Sequence, residues 1–225
     1  MKHAFYLSIL VLMSCGRKLN NNIHVFHTGK ASDYQDNVMQ VALNKLKNKN
    51  QTIIIHPGKY LVSKMFIINQ PNITLQFLTG AEILYTSNTD CGIVINANNC
   101  KIENGCFNGN GQSSNDFYKG FGILLCGVDS CTIKNCTFNA ISGNTILFLP
   151  NAKNKGCSYN KIEGNKITNP VFDINFKGDE SAILLGYSGK GYSHDNNVIT
   201  NNQIDGNNLV DVGIGIIGQD RKSVV

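Results

Sequence analysis

The chain has 225 residues, of which 42% are hydrophobic and 16% are charged, so it is long and apolar enough to form one domain with a substantial core. This composition excludes an intrinsically disordered chain. The formal net charge of +5 is small and the lysines are scattered, which excludes the concentrated basic surface that nucleic-acid binding requires.

The first segment, residues 1–14, is predicted to be a lipoprotein signal peptide. Lys2 and His3 precede an apolar run from residue 4 to residue 13, which is too short to span a bilayer as a helix. The letters Leu12-Met13-Ser14-Cys15 resemble a bacterial lipobox, in which the cysteine is lipidated and becomes the mature N-terminus. This resemblance implies export and a lipid anchor at Cys15, on the outer membrane or the cell surface. The alternative is an ordinary cleaved signal that a cysteine follows by chance.

Residues 15–31 are predicted to be a tether, and a short amphipathic helix follows it. Apolar residues recur at helical spacing between residues 33 and 48: Val38, Val41, Ala42 and Leu46. Ser32 or Asp33 is the predicted N-terminal cap. We expect this helix to cover the open end of a stack of strands, because an uncovered end would expose a strand edge and apolar residues.

Five copies of one strand pattern follow, and the rest of the chain is organised around them. We call these copies lead strands; they are residues 91–95, 121–125, 144–148, 181–185 and 212–216. Because side chains alternate along a strand, two apolar columns should face the core. The columns are Ile93, Ile123, Ile146, Ile183 and Ile214, with Ile95, Leu125, Phe148, Leu185 and Ile216.

A second strand-forming stretch follows each of the first four lead strands and aligns without gaps. Its two apolar columns are Ile102, Ile133, Ile162 and Ile199, with Phe107, Phe138, Ile167 and Ile204. Asn and Gly between the columns tolerate the left-handed backbone of a sharp corner. Strands of period two that recur at about thirty residues predict a parallel β-solenoid. The predicted fold is therefore all-β, a right-handed single-stranded parallel β-helix over residues 32–219 with an N-terminal capping helix.

The start of this domain resembles the pectate-lyase superfamily. Residues 36–43 are similar to the Asp-led capping helix of that superfamily, and residues 52–60 to the strand and Pro-Gly-x-Tyr turn that follow it. Residues 72–75 and 80–84 are similar to the next coil. The resemblance implies a right-handed parallel β-helix, and it specifies the fold better than the activity.

The face of the lead strands opposite the core is predicted to hold the site. It begins with a column of small residues that would form a shallow groove floor for an extended polymer: Gly92, Gly122, Thr145, Ala182 and Gly213. Two residues earlier, Glu180 and Asp211 occupy one column on neighbouring coils, beside Asp179. Such carboxylates repel one another, so one should keep its proton unless a cation lies between them. This column is the predicted acid–base site and the one place for Ca²⁺.

Residues 178–183 resemble the Gly-Asp-Asp-Cys-Ile-Ala segment of polygalacturonases. The resemblance implies that Asp179 and Glu180 protonate the leaving sugar oxygen and activate water. Two further motifs of that family, Asn-Thr-Asp and Gly-His-Gly, are not kept, because the corresponding positions read Asn144-Thr145-Ile146 and Val212-Gly213. The alternative is that these carboxylates are solvated corner residues.

The positions of the arginines argue against elimination by an arginine base. Arg17 and Arg221 are the only arginines, whereas pectate lyases of this fold abstract a proton with arginine, so hydrolysis is favoured over Arg-based elimination.

The Gly-rich loop of residues 186–195 carries the predicted substrate-binding residues Tyr187, Lys190, Tyr192 and His194. The alternative is an ordinary insertion between strands.

The eight cysteines of an exported chain would ordinarily suggest disulfides. Cys100 and Cys131 share one inward position, so they are predicted to be small core residues, with a disulfide between them as the alternative. The sequence has no His–Cys cluster at zinc spacing, and no metal ligand set is predicted.

The last six residues, 220–225, match the translation of a common sequencing adaptor. We therefore expect an artefactual tail and further coils beyond it, with a natural polar tail as the alternative.

The predicted function is a monomeric, lipid-anchored envelope protein that binds and cleaves an extracellular polysaccharide. The rival prediction is a non-catalytic β-helix, either an adhesin or a glycan-binding surface protein.

Overall fold

A computed structural model describes residues 22–28, 35–46, 50–86, 92–109, 121–171, 181–186, 192–206 and 212–217. After β1 (Ile23–Val25) and the helix α1 (Asp36–Asn44), the chain winds through six coils of three strands. The coils are β2 (Thr52–Ile55), β3 (Gly58–Val62) and β4 (Phe66–Ile68); β5 (Thr74–Phe77), β6 (Ala81–Tyr85) and β7 (Ile93–Ile95); β8 (Lys101–Glu103), β9 (Cys106–Asn108) and β10 (Ile123–Cys126); β11 (Thr132–Lys134), β12 (Thr137–Asn139) and β13 (Ile146–Leu149); β14 (Lys161–Glu163), β15 (Lys166–Thr168) and β16 (Ser181–Gly186); β17 (Val198–Thr200), β18 (Gln203–Asp205) and β19 (Val212–Ile217).

Each coil places one strand in each of three parallel sheets. The first sheet has the order β1-β2-β5-β8-β11-β14-β17, the second β3-β6-β9-β12-β15-β18, and the third β4-β7-β10-β13-β16-β19. Every pair of neighbouring strands comes from successive coils, so the backbone of one coil bonds to the next. The predicted right-handed parallel β-helix is confirmed.

The predicted pairing register is also confirmed, but Ile216, which was predicted to face the core, is 47% exposed on the last strand. In the third sheet Ile93, Ile123, Ile146, Ile183 and Ile214 pair in one column. In the first sheet Ile102, Ile133, Ile162 and Ile199 form another column and are at most 2% exposed. In the second sheet Phe107 stacks on Phe138, with ring centroids 5.0 Å apart and planes 13° from parallel. Like residues therefore pack on like residues along the interior.

A left-handed corner separates the first sheet from the second, and it divides each predicted second stretch into two strands. The corner residues are Asn104, Asn135, Gly164 and Asn201, with φ of 61°, 53°, 64° and 55°. Asparagine and glycine are the residues that adopt this conformation at least cost.

The residue after this corner points inward and builds a polar ladder through the core. Asn165 Oδ1 accepts a hydrogen bond from Cys136 N–H (2.9 Å), while Asn165 Nδ2 donates to Ile133 O (3.0 Å) and to Asn202 Oδ1 (2.9 Å). A second ladder joins Asn160 and Asn197 at the corner that enters the first sheet. These ladders satisfy backbone groups that the tight corners leave without a sheet partner.

The helix α1 covers the open end of the core, as predicted, but it is shorter than predicted. It spans Asp36–Asn44 rather than residues 33–48, and its N-cap is Gln35, without a side-chain capping bond. The predicted cap residues Ser32 and Asp33 lie outside the described residues. Gln35 Oε1 does not cap the helix because it instead accepts hydrogen bonds from Thr28 N–H (3.4 Å) and Thr28 Oγ1 (3.2 Å), which hold the segment after β1.

The side chains of two glutamines close the edge of the third sheet against this helix. Gln40 Oε1 accepts a hydrogen bond from Ile67 N–H on β4 (3.1 Å), and Gln70 Nε2 donates to Leu46 O (2.7 Å). Met39 and Leu43 pack into the main core at 1% and 5% exposure. The edge strand β4 thus finds a side-chain partner where no further strand lies.

The six described cysteines are free thiols, and most are buried: Cys100, Cys106, Cys126, Cys131, Cys136 and Cys157. Cys100 and Cys131 are fully buried core residues, as predicted, and the alternative disulfide between them is absent. Cys157 Sγ donates to Leu125 O at 3.3 Å. Burial raises the pKa of the Cys136 and Cys157 thiols to about 12 each.

In the described part of the chain, no helix has the length and apolar character needed to cross a bilayer.

Candidate functional site

The predicted catalytic carboxylates border two paired strands. Ser181 begins β16 and Val212 begins β19, and these two residues pair in register. Glu180 and Asp211 immediately precede them in the sequence. Asp179, Glu180 and Asp211 themselves lie outside the described residues, as do Tyr187, Lys190 and Cys15.

The predicted groove floor of small residues is wrong, because these positions face the core. A Cβ added at Gly122 would lie 3.1 Å from the ring of Phe138, and one added at Gly213 would lie 3.7 Å from Ile204 Cδ1. Ala182 belongs to the main hydrophobic core. Gly92 has φ of +138°, which interrupts the alternation of side chains between the two faces of the strand. The face of Gly92 therefore cannot be assigned by counting back from Ile93.

The outward face of the third sheet is instead a ladder of branched apolar residues. Val94, Leu124, Leu147 and Leu184 occupy equivalent positions on successive strands. Leu147 and Leu184, at 1% and 0% exposure, form a second apolar cluster with Leu149, and Leu124 is partly exposed beside them. The described outward face is therefore apolar and branched and has no glycine floor.

The corner that leads from the third sheet into the first holds the described part of the predicted substrate loop. Tyr192 is half-buried, and its ring centroid lies 5.5 Å from that of His194 in an edge-on arrangement. His194 is 2% exposed, and its Nδ1 accepts a hydrogen bond from Cys157 N–H at 3.0 Å. A ring held in this way organises the corner, so the burial of His194 argues against its predicted contact with substrate.

A column of polar side chains runs along the same corner. Asn98 Oδ1 accepts from Asp129 N–H (2.9 Å), Asp129 Oδ1 accepts from Ser158 N–H (3.1 Å), and Ser158 Oγ accepts from Asp195 N–H (3.3 Å). Lys155 Nζ lies 2.6 Å from Asp129 Oδ2 at the edge of this column. The corner thus presents charged and hydroxyl groups on a fixed backbone.

The next position of this corner is left-handed in every coil and reveals a residue that the sequence analysis missed. The residues are Asn50, Asn72, Asn99, Ser130, Tyr159 and Asn196, with φ between 56° and 63°. Tyr159 is the unusual member, because a bulky residue in this conformation costs about 1–2 kcal/mol. It is also 64% exposed. The available signal was a tyrosine at a position that other coils fill with asparagine or serine.

The described carboxylates are engaged locally. Asp129 contacts Lys155, Asp195 Oδ2 accepts from Ser193 Oγ (2.6 Å), and Glu163 Oε2 lies 2.8 Å from Lys161 Nζ. Within the described ranges no group of three or more His, Cys, Asp or Glu side chains could hold a metal ion. The predicted catalytic residues Asp179, Glu180 and Asp211 are not among these described carboxylates.

Comparison with solved structures identifies the fold independently. A putative glycosyl hydrolase from Parabacteroides merdae matches 91% of this chain and 95% of its own, with a TM-score of 0.60 and 13% identity. The catalytic domain of a GH87 α-1,3-glucanase, solved in complex with tetrasaccharides, matches 86% of this chain with a TM-score of 0.54 and 18% identity. ORF18 of Geobacillus virus E2 matches 80% with a TM-score of 0.52 and 12% identity.

These identities establish a shared fold and no more. The chain spans 48% of the viral protein and 32% of the glucanase domain. No protein-family model and no curated protein matches the sequence.

Proposed function

We propose that this protein binds an extracellular polysaccharide and cleaves it by hydrolysis. One observation carries the proposal: nearly the whole chain shares its fold with nearly the whole of a structure described as a putative glycosyl hydrolase. The same fold occurs in the glucanase domain that was solved with tetrasaccharides. A stack of coils also suits an extended polymer, since equivalent positions recur about every 4.8 Å along the stack.

The proposed catalytic groups are Asp179, Glu180 and Asp211. One protonated carboxylic acid would donate a proton to the glycosidic oxygen, and a neighbouring carboxylate would activate water. This assignment rests on the sequence resemblance of residues 178–183 and on the pairing of Ser181 with Val212. Hydrolysis is preferred over elimination because residues 18–220, which include every described strand, contain no arginine.

The proposed sugar contacts lie along the corner beside the third sheet. Tyr159 and Tyr192 offer aromatic rings, which suit the apolar faces of sugars, and Lys155 and Asp195 lie on the same polar corner. Tyr187 and Lys190 remain proposed contacts from the preceding loop. Ca²⁺ remains a proposal for the acidic residues beside β16.

The proposed location is the bacterial cell envelope, where the protein would be a monomer anchored through lipid on Cys15. Labelling of cells with a radioactive or clickable fatty acid tests this, because Cys15→Ala should abolish incorporation. Cys106→Ala is the matched control, since this partly exposed cysteine lies within a coil. Equal labelling of the Cys15→Ala variant would contradict the anchor.

A non-catalytic glycan-binding function is the second candidate. It is favoured by the local engagement of the described carboxylates, such as Asp129 with Lys155 at 2.6 Å. The same fold would then present the corner as a binding surface only.

One set of assays separates the two functions. The purified chain is incubated with acidic and neutral polysaccharides, and new reducing ends and unsaturated products are measured. Asp179→Asn and Glu180→Gln should lower the formation of reducing ends by about a hundredfold or more. Glu82→Gln on β6 and Glu103→Gln on β8, both on coils away from the acidic column, should leave it unchanged. Unsaturated products would contradict hydrolysis, and retained binding with no product from any substrate would favour the binding function.

The aromatic contact has a separate test with a built-in folding control. Tyr159→Asn places at this corner the residue that Asn99 and Asn196 already provide, so the backbone should be kept and its strain relieved. We expect weaker polysaccharide binding with an unchanged or higher melting temperature. Ser130→Asn makes the same exchange one coil earlier and should leave binding intact. Equal binding by the Tyr159→Asn variant would remove Tyr159 from the site.

A further inference from the structure

Two histidines meet on the outer face of the first sheet, near the start of the domain. His24 lies on β1, where it pairs with Ile54 of β2, and His56 follows β2 directly. His24 Nδ1 and His56 Nε2 are 2.9 Å apart. The two ring centroids are 5.2 Å apart and the rings are tilted by 40°.

An aromatic side chain holds one of these rings in place. Phe26 stacks on His56 with ring centroids 4.0 Å apart and an interplanar angle of 25°. Phe26 is 39% exposed and both histidines are partly exposed, so the pair can be reached from solvent. Neither β2 nor β5, the adjoining strands, carries a charged residue.

We propose that His24 and His56 form a two-imidazole binding site for a divalent transition-metal ion, with Cu²⁺ bound most tightly. Imidazole nitrogen is a ligand that Cu²⁺, Ni²⁺ and Zn²⁺ accept. Two nitrogens that bind one ion at about 2.0–2.1 Å lie about 2.9 Å apart when the angle at the metal is a right angle, and about 3.3 Å apart when it is tetrahedral. The observed separation of 2.9 Å fits the right angle, which is the angle between neighbouring ligands in the tetragonal geometry of Cu²⁺ and Ni²⁺.

The proton balance of binding is simple. In the neutral pair one ring donates its N–H to the other ring. When the ion binds, both facing nitrogens become ligands, so the proton of the donating ring moves to the far nitrogen of that ring. With a right angle at the metal, the ion lies about 45° from the line between the nitrogens, so each ring turns by an angle of that order to bind it.

Binding would join the first strand of the domain to the second. His24 belongs to β1, whereas His56 belongs to the first complete coil, so one ion bridges elements that are 32 residues apart in the chain. Because the unfolded chain does not hold the two rings together, the ion binds the folded state preferentially and stabilises it.

The test uses the full chain without a polyhistidine tag, and Cu²⁺ as the probe. Isothermal titration and electron paramagnetic resonance should show one Cu²⁺ per chain with two nitrogen ligands. At a hundredfold excess over the dissociation constant, the melting temperature should rise by roughly 5 °C or more. His24→Gln and His56→Gln should each weaken binding at least tenfold, with Zn²⁺ bound less tightly than Cu²⁺ by the wild type.

The double variant His24→Gln/His56→Gln is the decisive control, because it keeps every cysteine. Wild-type affinity in this variant would place the ion on thiols or on His3, His27 or His194, and would overturn the proposal. The spectrum is recorded in a His3→Gln background, because His3 and the N-terminal amine can themselves bind Cu²⁺. Fewer than two nitrogen ligands in that protein would overturn the proposal as well, even if the His24 and His56 variants fold poorly.

Discussion

Asn165 lies at the centre of the polar ladder after the second corner, and its replacement by alanine should destabilise the whole domain. Its side chain accepts a hydrogen bond from Cys136 N–H and donates to Ile133 O and Asn202 Oδ1, all at 2.9–3.0 Å. Asn165 is 1% exposed, so water cannot replace these partners. The Asn165→Ala variant therefore leaves the amide of Cys136 without an acceptor in the interior.

The magnitude follows from these contacts. An orphaned buried N–H group costs about 1–3 kcal/mol, and each of the two lost donated bonds contributes about 0.5–1.5 kcal/mol. We therefore expect a loss of about 3 kcal/mol in the free energy of unfolding. For a domain of this size that corresponds to a fall of roughly 6–12 °C in melting temperature.

The equivalent position of the preceding coil shows how a weaker hydrogen-bond acceptor than Asn165 is accommodated. One coil earlier, the equivalent residue is Cys136, whose Sγ accepts a hydrogen bond from Gly105 N–H at 3.4 Å. Asn165→Cys should therefore keep a weak acceptor and lose only about half as much stability as Asn165→Ala. Asn96→Ala removes one exposed hydrogen bond, to Asn69, and should change stability by less than about 0.5 kcal/mol.

Urea unfolding followed by circular dichroism measures all three variants. If Asn165→Ala unfolds at the same urea concentration as Asn96→Ala, the ladder does not stabilise the fold and the reasoning is refuted. If the cysteine variant is as unstable as the alanine variant, the ordering of acceptors is wrong.

Three further predictions concern other parts of the chain. Ile133→Asp puts an unpaired charge between Ile102 and Ile162 and should prevent soluble folding, whereas a normal melting curve would contradict the register. Thr145→Val removes a buried hydroxyl that has no hydrogen-bond partner among the described residues, so stability should rise by about 1 kcal/mol; a lower urea midpoint would show that the hydroxyl is paired. The lowered pKa of His56 means that the unfolded chain binds the proton more readily, so stability should be full above about pH 6.5 and fall as the pH drops below it, with a smaller fall in His56→Gln. Equal pH profiles for the two proteins would contradict this.

The interior columns could be predicted from the sequence because they depend on a simple alternation. Ile133 and Phe138 recur one coil apart with like residues, and an error of one position would have turned every large side chain outward. The corner asparagines could be predicted for the same reason, since only a few residues adopt a left-handed backbone at low cost. Both features follow from local backbone chemistry repeated many times.

The groove could not be predicted because strict alternation fails at these positions. Gly92 has a positive φ and precedes β7, whereas Ala182 and Gly213 lie inside β16 and β19. The consecutive residues Ala182 and Ile183 both belong to the main core, so alternation counted back from Ile183 assigns Ala182 to the wrong face. The inward asparagines were equally hidden, since Asn201 and Asn202 are the same letter and yet one forms the corner and the other the ladder.

Of the predicted substrate-binding residues, the structure describes Tyr192 and His194. Tyr192 lies at the corner beside the third sheet, while the burial of His194 depends on a contact with Cys157 that is 37 residues distant in the chain. Contacts between coils of this kind cannot be read from one loop. Tyr159 shows the reverse case, because its exposed, left-handed position becomes visible only when the equivalent positions of the described coils are aligned by the structure.

Cys136 and Cys157 are buried thiols whose pKa is about 12, so their chemical reactivity can report local unfolding of the coils that hold them. A thiol reacts with alkylating reagents as the thiolate, which burial nearly eliminates, so neither residue should react while its coil stays closed. Each becomes reactive once the coil that holds it separates from its neighbours. The rates at which reagents modify these two sulfurs would then report whether the solenoid unravels one turn at a time or all at once.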